Sequence, residues 1–249
     1  NGARLAGHHR YFTIGERIGR SGCPIPVGDF GWRPTRQPVV LDDWTVLDDW
    51  TVLDDWPPAD ARFTTIANWR GPFGPVETDR RRFGLKVHEF RKFLPLAGLV
   101  PGARFEAALA IHPEERPDLD LLDACGWVLA DPVGVAGTPE AFRRYVAGSA
   151  AEFSAAQGIY VETRSGWFSD RTTRYLASAR PALVQDTGFS ELIPADKGLI
   201  AFSTLEEAAA GARSILADYD AHCAAARAVA ESYFDSDLVL TGFLEDCDL

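Results

Sequence analysis

From Arg62 onward the chain alternates short apolar runs of strand length with stretches of helical character. That alternation restricts the fold more than any other feature. Phe63–Trp69 is β-branched and aromatic, as a buried strand requires, and Arg70-Gly71-Pro72 stops it. Lys86–Leu94 follows, with Val87, Phe90, Phe93 and Leu94 on one helical face. A strand over Phe105–Ile111, a short helix over Leu119–Cys125 and a strand over Trp127–Ala130 come next. Thr138 then caps a helix that opens on Pro139 and runs to about Ala147, before Ala151–Ala155 and Ile159–Val161 return to strand character. Strands joined through helices lie parallel and are covered on both faces. The expected fold is therefore α/β, a Rossmann-like doubly wound parallel sheet.

Tyr160–Phe202 is the stretch such a sheet would present. Tyr160–Thr163 reads as the end of a buried strand, Ser165-Gly166 as a tight loop, and Ser169 as the N-cap of a helix over Asp170–Ala179. Arg180-Pro181 ends that helix, because the residue before a proline is pushed out of helical geometry. Ala182–Gln185 is a second short strand, and Thr187-Gly188 turns the chain again. Ligands of doubly wound sheets sit beyond the carboxyl ends of the strands, where Arg70, Arg164 and Ser169 are expected to converge. The free amides at a helix start attract anions, and Arg164, Arg171 and Arg174 are close in sequence to that start.

The same residues carry a family resemblance. Gly166–Arg171 (GWFSDR), Tyr175–Pro181 (YLASARP) and Gln185–Phe189 (QDTGF) resemble the donor-binding half of bacterial GT-B glycosyltransferases, and Glu191 and Gly198-Leu199 fall where later family elements stand. The likeness runs from about Arg62 to Leu240. It implies a metal-independent transfer of sugar from a nucleotide-sugar donor, which is a co-substrate, so no cofactor is expected. It also implies that an arginine after the first strand and a lysine at the next helix, here Arg70 and Lys86, hold the donor diphosphate. Arg164, Ser169, Asp170, Arg171, Gly188 and Glu191 complete the candidate donor site. The family's two acidic positions fall on Gly166 and Arg174, so its ribose-binding carboxylate is missing or has moved, with Asp170 one candidate to replace it. Asp170 is equally accounted for as a first-turn acid stabilised by the helix dipole. The catalytic residue is unassigned; in this family a base normally comes from the opposing domain. A non-catalytic domain that binds a nucleotide-sugar or a phosphate ligand, and an epimerase-like enzyme on the same sheet, are the other readings of these residues.

Residues 1–58 have a different character. Gly and Pro punctuate them up to about Pro38, which reads as the exit from a preceding domain, and residues 59–249 hold the donor-binding domain. The chain starts at Asn1 and contains no methionine, so the expectation is a fragment or processed piece whose partner domain is missing, or a homo-oligomer. Leu41–Trp56 repeats LDDW at a spacing of six, from Leu41, Leu47 and Leu53. That period suits neither a helical seam nor a solenoid unit, and the repeat is read as a local duplication in a linker closed by Pro57-Pro58. Terminal helices are expected over about Thr204–Ala217, behind a capping box at Ser203–Glu206, and over Tyr219–Tyr233, with a last short helix starting near Phe234. The resemblance implies that these cross back onto a partner domain.

A net charge of −11 argues against nucleic acid as the main partner. No stretch approaches a membrane span. Cys23, Cys125, Cys223 and Cys247 are widely spaced without a C-x-x-C pair, which fits reduced thiols and a cytoplasmic location better than disulfides or zinc. His8-His9 lacks a third ligand, and the D-x-D strings at Asp118, Asp218 and Asp235 sit at helix starts, so no metal is expected. His88 and Glu89 are titratable, but helix-surface packing accounts for them as well as catalysis does.

Overall fold

The computed structural model describes residues 5, 7–44, 61–70, 74–78 and 81–248. In chain order the strands are β1 (Tyr11–Thr13), β2 (Trp32–Pro34), β3 (Ala61–Asn68), β4 (Glu77–Thr78), β5 (Arg81–Arg82), β6 (Ala103–Ala110), β7 (Val128–Ala130), β8 (Ala151–Ser154), β9 (Ala182–Gln185) and β10 (Leu199–Phe202). The helices are α1 (Lys86–Phe90), α2 (Leu96–Leu99), α3 (Arg116–Ala124), α4 (Pro132–Ala136), α5 (Pro139–Ala147), α6 (Gly158–Glu162), α7 (Asp170–Ala177), α8 (Leu205–Ala217), α9 (Tyr219–Tyr233) and α10 (Ser236–Asp246). Six strands form one all-parallel sheet in the order β10-β9-β8-β3-β6-β7. The chain leaves β3 toward β6 and β7, then returns past it to β8, β9 and β10. The winding direction therefore reverses between β3 and β8, and a crevice opens beyond the strand ends there.

Alternating side chains split the core between the two faces. Phe63, Phe105, Phe153, Leu183 and Phe202 face α1, α2, α3 and α8 in one buried cluster. Its centre is aromatic: Phe153 meets Phe90 edge-on at 5.6 Å, Trp127 at 5.4 Å and stacks on Phe202 at 5.6 Å. The opposite face packs Ala182, Val184 and Leu199 against Leu176 of α7 and Ala226, Val229 and Ala230 of α9. Under α5 and α7 this second face is polar, with Thr64, Glu106, Glu152 and Ser154 buried. Thr64 Oγ1 lies 2.8 Å from Ser149 Oγ and 2.7 Å from the Tyr175 hydroxyl.

Most expected elements recur within a residue or two, and Pro139–Ala147, Ala182–Gln185 and Tyr219–Tyr233 recur with the same bounds. The helix expected over Lys86–Leu94 is α-helical only to Phe90 and continues as a 3-10 turn over Arg91–Phe93. Three further differences have local causes. The apolar run at Ile159–Val161, read together with Tyr160–Thr163 as strand, is helix α6. Strand β8 stops at Ser154, and the Gln185 side chain accepts from the Ala156 amide at 3.0 Å, so the ladder cannot extend. A three-residue apolar run does not by itself distinguish strand from helix. Helix α7 ends at Ala177 rather than Ala179, because Ala179 adopts φ 51°, outside helical geometry. The capping box sits one residue later than expected. Glu207 Oε2 accepts from the amides of Ser203 (2.7 Å) and Thr204 (3.2 Å), and Thr204 caps α8.

The N-terminal segment does not stand off from this sheet. Val39 exchanges backbone hydrogen bonds with the start of α10, donating to the Phe234 carbonyl at 2.8 Å and accepting from the Ser236 amide at 3.0 Å. Phe12 packs on Phe243 of α10 at 4.3 Å, and Arg10 and Arg33 both pair with the C-terminal end of that helix. The terminal helix thus meets the chain's own first residues. The first LDDW unit, Leu41–Trp44, is a 3-10 turn packed against the second core cluster, with Asp43 3.4 Å from Arg143 and Trp44 edge-on to Phe142 at 5.7 Å. This copy is docked rather than free linker; the later copies and Pro57-Pro58 lie outside the described residues. The four cysteines are free thiols, and no described helix is long and apolar enough to cross a membrane.

One buried contact carries a pH prediction. The Gly198 amide donates to His222 Nδ1 at 3.1 Å, and burial lowers the His222 pKa, with Lys197 adding to the effect against Asp218. The folded chain therefore binds a proton at this histidine less readily than the unfolded chain, whose value is near 6.5. Stability from this group is complete above about pH 6.5 and falls as pH drops through that value. Urea unfolding between about pH 7 and pH 5.5 should show the loss, and His222→Gln should remove that part of the slope. An identical slope in the variant would assign the acid sensitivity to other groups.

Candidate functional site

A cavity of about 460 Å³ opens at the switch between β3 and β8. Its floor is the end of β3 (Ile66, Ala67, Asn68) and Ala110 of β6; its walls are Lys86, Pro132, Gln157 and Trp167, with Ser169, Asp170 and Arg171 at the start of α7. Each wall follows from local sequence. Ser169 is extended (φ −79°, ψ 134°) and its Oγ accepts from the Arg171 amide at 3.3 Å, so α7 begins at the cavity rim. Trp167 is held by stacking on Tyr160 of α6 at 4.7 Å. Lys86 is the first residue of α1 and lines the same cavity.

Arg171 is fixed by its surroundings. Its Nε donates to Glu152 Oε1 at 2.6 Å, one terminal nitrogen to the Ile66 carbonyl at 2.7 Å and the other to Ser154 Oγ at 2.8 Å. Glu152 has no solvent exposure, and its second oxygen has no hydrogen-bond partner among the described residues. The Lys86 ammonium makes no hydrogen bond or ion pair with the described residues, and the residue is half-buried. Burial, and then the neighbouring Arg171 charge, push its ammonium down to about 7, against the pull of Glu152.

Lys86, Ser169, Asp170 and Arg171 thus come together on one cavity. Asp170 is exposed there, and its carboxylate lies 3.2 Å from Arg174. Arg70, Arg164, Gly188 and Glu191 are placed elsewhere. Arg70 does leave the end of β3, but its guanidinium forms a two-pronged pair with Glu115, one contact at 2.7 Å, and does not line the cavity. Arg164 and Glu191 pair at 2.7 Å in a cluster behind the Ser165–Ser169 loop, with Asp186 at 3.4 Å from Arg164.

The residue that organises this second cluster is Arg17 of the N-terminal segment, 7% exposed. It donates to the Arg164 carbonyl at 3.0 Å, pairs with Glu191 at 3.0 Å, and its own amide bonds the Ser165 carbonyl at 2.9 Å. Gly188 makes room for it: φ is 93°, and a Cβ there would lie 2.9 Å from the Arg17 guanidinium. Nothing in the sequence pointed to Arg17, because its partners are far away in the chain. Glu152 was more legible, as an acid inside a buried strand run needs a partner.

The remaining candidates have structural tasks. His88 Nδ1 accepts from the Leu85 amide at 3.0 Å; Glu89 pairs with Lys92 at 2.7 Å and accepts from Gln185 at 2.8 Å. Asp118 holds Arg91 and the Trp69 indole, Asp218 pairs with Lys197, and Asp235 caps α10. A second groove of about 520 Å³ adjoins the cavity across Phe142, Asp170 and Arg171, and is walled by Asp43, Trp44, Arg143 and Arg174.

No protein-family model matches the sequence, and no curated protein matches it. Solved structures do. AviGT4, a glycosyltransferase involved in avilamycin A biosynthesis, superposes with TM-score 0.59 at 15% identity over 95% of this chain and 62% of its own. Anabaena HepE, solved in complex with UDP-glucose, gives 0.56 at 11% identity over 87% and 57%. Sucrose-phosphate synthase from Thermosynechococcus elongatus gives 0.54 at 12% identity over 87% and 52%. The chain therefore spans between about half and two-thirds of the length of these structures. At such identities the likeness is one of fold, and the fold is the Rossmann-like half of a GT-B glycosyltransferase.

Proposed function

We propose that this chain is the donor-binding part of a metal-independent glycosyltransferase, and that its cavity holds the diphosphate of a nucleotide-sugar. The observation that carries this reading is the juxtaposition of the α7 start at Ser169 with the ammonium of Lys86, unpaired among the described residues, at the switch point of the sheet. Helix-terminal amides and a fixed cation are what a nucleoside diphosphate needs as it leaves with growing negative charge. Solved relatives in fold that carry UDP-glucose or UDP support the choice of ligand. The donor is a co-substrate and no separate cofactor is required. Acceptor and catalytic base are assigned to no residue of this chain.

Within that reading the two cations named from the sequence have unequal parts. A charge-assisted phosphate contact contributes about 1.5–3 kcal/mol, so Lys86→Ala should weaken UDP binding roughly tenfold or more. Arg70 would have to leave Glu115 before reaching a phosphate, and Arg70→Ala should change the same affinity by less than about threefold. Calorimetry with UDP, a set of nucleotide-sugars and uridine checks both. Equal loss of UDP and uridine binding in Lys86→Ala would show that the lysine does not meet the diphosphate.

A second reading, a domain that binds nucleotide-sugar without turnover, is favoured by one observation. Gly166 and Arg174 stand at the family's two acidic positions, and Arg174 pairs with Asp170 rather than presenting a carboxylate. Donor binding without transfer to any of a range of acceptors would support it.

A further inference from the structure

Charge does not balance around the cavity. Two cations, Lys86 and Arg171, line it. The buried carboxylate beside them, Glu152, has one oxygen committed to the Arg171 Nε at 2.6 Å, and Arg171 is further tied to Ser154 and the Ile66 carbonyl. Among the described residues, the other charged groups on the elements around the cavity are engaged elsewhere. On its own helix, His88 accepts from the Leu85 amide and Glu89 is held by Lys92 and Gln185. On α7, Asp170 pairs with Arg174; on α6, Glu162 lies 3.4 Å from Arg81; at the start of α4, Asp131 accepts from the Val133 and Gly134 amides. Arg143 of α5 pairs with Asp43 across the adjoining groove. Among the described residues one buried carboxylate therefore serves two half-buried cations, and a charged Lys86 is only partly balanced until an anion enters.

We propose that the cavity takes up an anionic phosphate ligand together with a proton, and that Lys86 is the group that receives it. The ligand class is a phosphate anhydride such as a nucleoside diphosphate; this identification rests on the proposed function above, whereas the proton uptake rests on the arrangement of Lys86, Arg171 and Glu152. In the free protein Lys86 is partly neutral near pH 7, because an unbalanced ammonium in a half-buried site is disfavoured. A bound diphosphate supplies the missing negative charge, the ammonium becomes the favoured form, and binding draws a proton from solvent. Affinity should consequently rise roughly fivefold between about pH 8 and about pH 7, as the proton is increasingly in place beforehand. Below about pH 6 protonation of the ligand's own phosphate opposes the gain.

Two measurements on the whole chain test this. The sequence holds three lysines, Lys86, Lys92 and Lys197, so a protein labelled with carbon-13 at the lysine ε carbons gives three resonances, and Lys86→Arg identifies one of them. The Lys86 resonance should titrate far below the other two in the free protein, and move up by about two units or more with UDP or inorganic pyrophosphate. Calorimetry of UDP at about pH 8, in buffers of low and high ionisation enthalpy, should show uptake approaching one proton; Lys86→Arg, permanently charged, should show none. Lys86 titrating with the other lysines, or UDP binding with heat independent of buffer, would overturn the proposal. Proton uptake with pyrophosphate but no binding of UDP would sustain it while removing the nucleotide-sugar reading, and binding of neither probe would remove both.

Discussion

Arg171→Ala is expected to lower stability by about 3–5 kcal/mol, the range for removing one partner of a buried ion pair. Glu152 is fully buried and Arg171 is its only hydrogen-bond donor among the described residues, so the variant leaves an uncompensated carboxylate inside the sheet. Ser154 Oγ and the Ile66 carbonyl lose their donors as well. Urea unfolding followed by circular dichroism measures the loss. The companion variant Glu152→Gln should recover part of it in the Arg171→Ala background, because it removes the stranded charge. A loss below about 1 kcal/mol would mean that water or a rearranged side chain satisfies Glu152, and the charge count around Lys86 would then need revision. Arg171 is thus a stabilising residue, whose charge acts on the cavity from a fixed position.

The second large effect is expected far from the cavity, at Gly198. Its φ is 76°, and a Cβ built there lies 2.2 Å from the Ala226 amide nitrogen of α9. Gly198 also accepts from the Ala182 amide at 2.8 Å and donates to His222, so it cannot shift without disturbing both β9 and α9. Gly198→Ala combines left-handed strain of about 1–2 kcal/mol with overpacking of about 1–3 kcal/mol, so a loss of about 2–5 kcal/mol is expected. Gly102→Ala is the control: φ is 88° but no atom lies within 4 Å of the built Cβ, so only the strain should register. Equal losses at the two positions would show that the close approach of α9 is readily relaxed.

The family-like letters at Gly198-Leu199 find a physical reason in this contact. The helix that crosses the sheet edge needs a position without a side chain, and a turn into β10 needs positive φ. Similarly, GWFSDR reads as a loop and cap because Gly166 takes φ 74° where the Arg17 backbone approaches, and Ser169 then starts α7. The glycines and the Ser169 cap were visible from residue types alone, whereas the close approaches of α9 and of Arg17 that require them exist only in the folded chain.

Local physics thus determined the strand and helix alternation, the Ser169 and Thr138 caps, and the bounds of α5, β9 and α9. Period-two and period-3.6 patterns and capping chemistry act over a few residues, and a parallel sheet follows from them. The sequence by itself also placed Ser169, Asp170 and Arg171 among the site candidates, since they start a helix, and Lys86 entered through the family resemblance. It did not decide which charges stay free. Arg70 pairs with Glu115 and Arg164 with Glu191 across separations of 45 and 27 residues, while Arg17 reaches Arg164 across 147. Two arginines that look alike in the chain differ only in what the fold brings opposite them. Pairing energies depend on distance and burial, which exist only once the sheet has assembled, and so tertiary structure alone singled out Lys86 as a cavity cation without an ion-pair partner among the described residues.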